Sequence, residues 1–120
     1  MIPSNRARRA QLRDLRRANT ARKTARRAVA TGKPQPMRTH LLARGLDPRL
    51  AKNYAGAVSR KVPVAADQVE RPRKLKGRTV ALFPTYVYTA RQVDRALRAY
   101  VANGGPGRKT DRAAFVSVAA

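Results

Sequence analysis

Arginine, lysine and asparagine side chains recur on one side of a short segment in the middle of the chain. Arg49, Asn53 and Arg60 fall at helical spacing, and Lys52 lies beside them. The opposite side is apolar, with Ala51, Tyr54, Ala55, Val58 and Val62. Arginine and asparagine can make paired hydrogen bonds to the guanine and adenine edges exposed in the major groove of DNA. The candidate nucleic-acid contacts of this segment are therefore Arg49, Lys52, Asn53, Arg60 and Lys61.

The residues before this segment predict two helices joined by a tight turn. Thr39 can cap a short first helix, and Gly45 stands where a helix end needs positive φ. Asp47 is a good N-cap for the second helix, and Pro48 falls at its first position, where a missing N–H costs nothing. The second helix should run to about Lys61, because a proline follows two residues later.

The match to a standard helix-turn-helix is partial. Leu41 lies where that motif usually has a small residue, and Arg44 lies where a buried apolar residue is expected. A purely structural helical hairpin with a basic surface has the same pattern. A groove-reading helix and a structural hairpin therefore both remain open at this point.

The net charge of +22 on 120 residues indicates a polyanionic partner. The chain has 28 lysines and arginines against 6 acids, so its compact form repels itself until a polyanion neutralises it. Arginine outnumbers lysine 21 to 7, and the guanidinium fork suits phosphate and guanine. The length allows one small domain with extensions. The absence of cysteine excludes disulfides and thiolate metal sites.

The sequence predicts no association with a membrane. It has no apolar run near 18 residues and no hydrophobic segment typical of a secretory signal. The basic N-terminal segment also lacks the apolar face that a membrane-surface helix needs.

Residues 1–33 form a basic arm in which the triplet Arg-Arg-Ala recurs three times. Ser4 or Asn5 can cap a helix there, but arginines at this density repel one another along a helix. We expect a segment that is frayed or disordered alone and becomes helical when phosphates neutralise it. It is either a clamp for nucleic acid or a solubilising tail, and the charge favours the clamp. Its candidate contacts are Arg8, Arg9, Arg13, Arg16, Arg17, Arg22, Lys23, Arg26 and Arg27.

Two proline-containing segments separate the more regular parts of the chain. Residues 33–36 form a stiff break after the arm. Residues 63–77 have no convincing period and are interpreted as a basic linker that follows a nucleic-acid backbone, with a short helical turn possible over residues 65–70. The candidate contacts of the linker are Arg73, Lys74 and Lys76.

Residues 78–103 predict a strand followed by a well-capped helix. The run TVALF is typical of a short strand that ends at Pro84, and TYVY can form a second one. Thr89 and Gln92 have the spacing of a capping box. The helix is expected to bury Val93, Ala96, Leu97, Tyr100 and Val101. Its other side is basic and supplies three further candidate nucleic-acid contacts, Arg91, Arg95 and Arg98.

These elements predict one modest core. Its expected members are Leu41, Leu42, Leu46, Leu50, Tyr54 and Val58 from the helical pair, and Val80, Leu82, Phe83, Val93, Leu97 and Tyr100 from the later unit. The tyrosines could instead stack on nucleobases. Residues 104–120 are expected to form a glycine-rich hinge and a tail. The apolar patch from Phe115 to Val118 is a disordered end, an added strand or a docking peptide for a protein partner.

The sequence offers little for catalysis. With His40 as the only histidine, a catalytic triad or a multi-histidine metal site would depend on that residue, which we expect at the surface or an interface. The run Gly104 to Thr110 lacks the glycine and lysine spacing of a phosphate-binding loop. No enzyme activity, cofactor or metal is expected.

The segments MRTHLLARGLDPRLAKNYAGAVSRKV and YTARQVDRALRAY resemble small basic helix-turn-helix-type proteins of actinobacterial phages and mobile elements. The resemblance covers residues 37–100. It implies a DNA-binding regulator or a recombination accessory. The positions that match a recognition helix are Arg49, Lys52, Asn53 and Arg60.

The sequence therefore predicts a mainly α protein with a short β element, a helix-turn-helix-like core, a basic N-terminal arm and a flexible tail. The expected function is non-catalytic binding of duplex DNA in the cytoplasm, with DNA favoured over RNA. One alternative is an RNA-binding ribonucleoprotein or ribosome-associated subunit. Another is a structural virion or genome-packaging protein.

Overall fold

The computed structural model describes residues 4–77 and 80–119 and confirms a mainly α fold with a short β element. The helices are α1 (Asn5–Ala30), α2 (Met37–Ala43), α3 (Pro48–Ser59), α4 (Ala90–Ala102) and α5 (Lys109–Ala119). The strands are β1 (Asp67–Lys74) and β2 (Val80–Val87), which pair antiparallel as a hairpin.

The basic arm is one continuous helix, α1, in place of the frayed segment that arginine repulsion predicted. Ser4 caps it by accepting a hydrogen bond from the backbone N–H of Ala7 at 3.2 Å. The C-terminal half packs on the rest of the chain through Ala21 and Ala25. Alanine has the highest helix propensity, and this packed face holds the helix together against the repulsion of its charges.

The helical pair forms as α2, a four-residue turn and α3. Gly45 has a φ of +95°, a left-handed conformation that glycine adopts without the steric cost of a Cβ. α2 begins at Met37, so Thr39 lies inside its first turn and the predicted cap at Thr39 is wrong. α3 starts at Pro48 as predicted and ends at Ser59, two residues earlier than expected.

The two departures from the helix-turn-helix pattern have separate structural outcomes. Leu41 is fully buried and fills the core between the helices. Arg44 follows the end of α2 and is half-buried; it pairs with Asp94 and donates a hydrogen bond to the Ala90 carbonyl at 3.3 Å. The arginine therefore connects the turn to α4. In a standard helix-turn-helix, an apolar residue at this position packs into the core instead.

The segment interpreted as a basic linker contains the strand β1, so that interpretation and the helical turn over residues 65–70 are wrong. β1 is exposed along its whole length, which is why its sequence shows no apolar alternation. β2 continues through Pro84 to Val87, so the predicted TVALF and TYVY strands are parts of one strand. Thr79, the first residue of the predicted TVALF strand, lies outside the described residues.

The base of the hairpin is fixed to the start of α2. Gln35 and Tyr88 exchange two backbone hydrogen bonds of 3.0 and 2.8 Å. The Nε2 of His40 lies 2.6 Å from the Tyr88 carbonyl oxygen, to which it donates. His40 is buried, so the prediction of a surface or interface histidine is wrong. Burial lowers the pKa of His40, and the hydrogen bond to the Tyr88 carbonyl partly offsets this lowering.

α4 confirms the predicted capping box, with Thr89 Oγ1 accepting from the backbone of Gln92 at 3.2 Å and the Gln92 side chain accepting from the Thr89 N–H at 3.0 Å. The helix ends at Ala102, just before the predicted stop. Val93 and Leu97 are fully buried in the core, as expected.

The predicted tail is the helix α5, and its apolar patch is part of the core. Phe115 is fully buried between the rings of Tyr54 and Tyr100, each at a centroid distance of 5.4 Å. The Tyr54 hydroxyl donates to Asp111 at 2.7 Å, and this bond raises the pKa of Tyr54. The Phe115 ring is therefore part of the core, and a protein partner for residues 115–118 stays a prediction.

The core contains the expected residues from α2, α3 and α4, but not those from β2. Val80 and Leu82 are 57% and 63% exposed, so their assignment to the core is wrong. The core also contains four residues that were not among its expected members, which are Ala25, Met37, Tyr88 and Phe115.

Candidate nucleic-acid interface

The front of α3 is a polar surface formed by Arg49, Lys52, Asn53 and Gly56. All four are exposed, while Leu50, Ala51 and Val58 on the back of the helix are buried in the core. A Cβ placed on Gly56 would meet no atom within 4 Å, so the α3 backbone is open to a ligand at this point. The prediction that this helix has an exposed polar side and a buried apolar side is confirmed.

An open groove of about 460 Å³ runs between α3 and the hairpin. α3 contributes Gly56 and Ser59 to it, and the hairpin contributes Arg71 and Phe83. Arg38, near the start of α2, lines the same groove and is exposed. The groove thus lies directly beside the polar front of α3.

The register of the hairpin places two of the groove's arginines on one face of β1. Arg71 lies opposite Phe83, and Arg73 lies opposite Ala81 two residues further along, so both arginines project from the same face. The Arg73 guanidinium carbon lies 5.6 Å from the centre of the Phe83 ring, within the range of a cation–π contact. The described residues that line the groove include three arginines and no acid, which favours an anionic ligand.

Other sequence-predicted residues lie outside this groove. Arg60 and Lys61 follow the end of α3 and are exposed, and Lys61 shares a surface depression with Arg95 of α4. Arg91 and Arg98 are exposed on α4 and do not line the groove. On the hairpin, Arg73 lines the groove, whereas Lys74 and Lys76 lie near the far end, away from it.

Comparison with protein-family models, with curated proteins and with solved structures finds no match to this chain.

The arm residues are mostly free to contact a ligand. Along α1 the exposed members of the predicted set are Arg8, Arg9, Arg13, Arg16, Arg17, Lys23, Arg26 and Arg27. Arg22 differs, because it is half-buried and its Nε donates to the Leu46 carbonyl at 3.5 Å. This contact joins α1 to the turn before α3, so Arg22 has a structural role.

The tyrosines provide little surface for base stacking. Tyr88 is buried at the base of the hairpin, and Tyr54 and Tyr100 pack around Phe115. Tyr86 is 58% exposed, lines the groove beside α3 and is the tyrosine most open to a base.

Two groove residues, Arg38 and Arg71, were not identified from the sequence. Arg71 and Arg73 alternate with a proline between them, which is the spacing that places two side chains on one face of a strand. That signal is meaningful only once β1 is known to be a strand. Arg38 had no sequence signal of its own, because the groove forms only in the tertiary structure.

The described residues hold no group of three or more histidine, cysteine or acidic side chains that could bind a metal ion. Within residues 4–77 and 80–119, no helix is both long and apolar enough to cross a membrane.

Proposed function

We propose that this protein binds duplex DNA, with the front of α3 in the major groove and the hairpin against the neighbouring backbone. The observation that carries the proposal is the exposed Arg49, Lys52 and Asn53 surface lying beside an arginine-lined groove that contains no acid. The proposed role is that of a DNA-binding regulator or recombination accessory acting in the cytoplasm, without a catalytic step.

The dimensions of DNA support this arrangement. An α-helix with its side chains is about 10–12 Å across, and the major groove is about 12 Å wide. A helix seated there has a phosphate backbone immediately at its side. The groove between α3 and the hairpin is the place for that backbone, with Arg38, Arg71 and Arg73 contacting phosphates.

The order of the elements supports the same arrangement. α2 and α3 are two helices joined by a four-residue turn, and the hairpin that follows is anchored to the start of α2 by the Gln35–Tyr88 bridge. The hairpin thus flanks α3 as a wing, and it brings a second set of cations to the same side as the groove-reading residues. A structural helical hairpin needs no such surface.

The proposal is tested by competition binding with labelled duplex DNA, single-stranded DNA and structured RNA. We expect the duplex to be bound most tightly in the presence of excess unrelated DNA. Asn53→Ala is expected to lower the preference for a selected duplex by about 1–3 kcal/mol, because asparagine bonds to an adenine edge through two hydrogen bonds. Ser117→Ala, at an exposed position of α5, is the matched control and should bind as the unmodified protein does.

A preference for structured RNA over duplex DNA would contradict the proposal and favour a ribonucleoprotein subunit. Equal binding to all three nucleic acids, unchanged by Asn53→Ala, would contradict it as well and favour a packaging protein that uses charge alone.

A further inference from the structure

α1 carries a continuous basic stripe along one side. Its members recur every three or four residues, apart from a seven-residue step across Thr20, and all are exposed: Arg6, Arg9, Arg13, Arg16, Lys23 and Arg27. At 3.6 residues per turn these positions lie on one face, and at 1.5 Å per residue they span about 32 Å. One turn of B-DNA is about 34–36 Å long, so the stripe matches a full turn of a duplex in length.

The stripe faces away from the core of the protein. The opposite side of α1 carries the half-buried Ala18 and Ala21 and the buried Ala25. The one acid of α1, Asp14, is also on that inner side, where it lines a depression together with Arg22 and Asp47. No described acid therefore interrupts the stripe, and its charge is directed outward.

The front of α3 faces away from the same core. Ala25 of α1 belongs to one buried cluster with Leu50, Ala51 and Val58 of α3. Each helix thus turns its apolar side to this shared cluster and its basic side to solvent. Because the shared cluster lies between them, the two basic surfaces face different sides of the molecule.

We infer that the stripe on α1 binds a second segment of duplex DNA, so that one chain bridges two duplexes. This inference goes beyond the proposed function, which accounts for one duplex and supplies the first of the two sites. The occupant is a polyanion, because six cations face it without an acid among them. A second copy of this chain is excluded as the occupant, because it would bring another +22 charges to the stripe.

The inference predicts co-capture of two DNA molecules by the full-length chain. A biotinylated duplex is immobilised, a fluorescent duplex of different length is added, and the fluorescence retained on the beads is measured over a range of protein concentrations. The variant Arg9→Gln, Arg13→Gln, Arg16→Gln removes half of the stripe. The matched control is Arg91→Gln, Arg95→Gln, Arg98→Gln, which removes the same charge from the exposed face of α4.

We expect the stripe variant to lower co-capture at least tenfold relative to the control, while both variants bind one duplex with equal affinity. Two results would overturn the inference. One is equal co-capture by the two variants. The other is a stripe variant that loses affinity for a single duplex far more than the control does, which would place α1 on the same duplex as α3.

Two further measurements separate this inference from other causes. Sedimentation of the free protein must give a monomer, because co-capture through a protein dimer would also overturn it. The affinities of the unmodified protein and of Asn53→Ala for one selected duplex are also compared, and this comparison tests the first site alone. If Asn53→Ala binds the duplex more weakly and co-capture is absent, the bridging inference fails and the proposed function stands.

Discussion

Replacing Phe115 with alanine is expected to lower the free energy of unfolding by about 3–5 kcal/mol, the usual cost of removing a buried aromatic side chain. Phe115 is fully buried and makes edge-to-face contacts with both Tyr54 and Tyr100. Its loss leaves a cavity where α3, α4 and α5 meet. Urea denaturation followed by circular dichroism measures the change.

The neighbouring substitution Val116→Ala is the control for Phe115→Ala. Val116 lies on the same helix and is 50% exposed, so its truncation should change stability by less than about 1 kcal/mol. Equal stability of the two variants would contradict the packing of α5 against the core. It would also restore the interpretation of residues 104–120 as a tail.

The affinity for duplex DNA is expected to fall about 10³–10⁵-fold between 50 and 200 mM salt, the range typical of six to ten phosphate contacts. The groove beside α3 should account for part of this dependence. Arg71→Ala with Arg73→Ala is expected to reduce the slope of log affinity against log salt by about 2, since each lost phosphate contact contributes about 0.9. Fluorescence anisotropy at several salt concentrations measures the slope.

The matched pair Arg91→Ala with Arg98→Ala removes the same charge from α4, outside the groove. We expect it to leave the slope within about 0.5 of the unmodified value, because those side chains contact no phosphate in the proposed complex. If both pairs change the slope equally, the groove is not where the backbone lies, and the charges act only through the overall field.

The helices whose ends carry local signals could be predicted from the sequence. α3 begins at Pro48 after a glycine turn, and α4 begins with the capping box of Thr89 and Gln92. Capping and turn residues act on backbone groups a few positions away, so the information lies within a short window. The exposed front of α3 was predicted from the helical spacing of its polar residues.

The elements that depend on distant partners could not be predicted. β1 is solvated on both faces and forms because β2 pairs with it, so its own sequence shows no strand period. Phe115 is buried only because Tyr54 and Tyr100 meet around it. His40 is likewise buried against a carbonyl 48 residues away. In each case the deciding contact is far away in the sequence.

The candidate site likewise has one part that could be predicted from local sequence and another that depends on the tertiary structure. Arg49, Lys52 and Asn53 share one helix, and their spacing alone placed them together. The arginines of the groove come from α2 and from β1, and the anchored hairpin brings those of β1 beside α3. The site was therefore predicted as a helix face and observed as a helix face with a groove at its side.

The most direct measurement of the central claim is the affinity for a selected duplex in which each adenine in turn is replaced by 7-deazaadenine. This base pairs normally but lacks the N7 acceptor in the major groove, which asparagine contacts together with the N6 amino group. The account predicts that one such replacement costs the unmodified protein about 1–3 kcal/mol of binding free energy. The same replacement should cost Asn53→Ala almost nothing. If the unmodified protein binds every 7-deazaadenine duplex as tightly as the parent, Asn53 on α3 does not read adenine in the major groove, and the central claim is wrong.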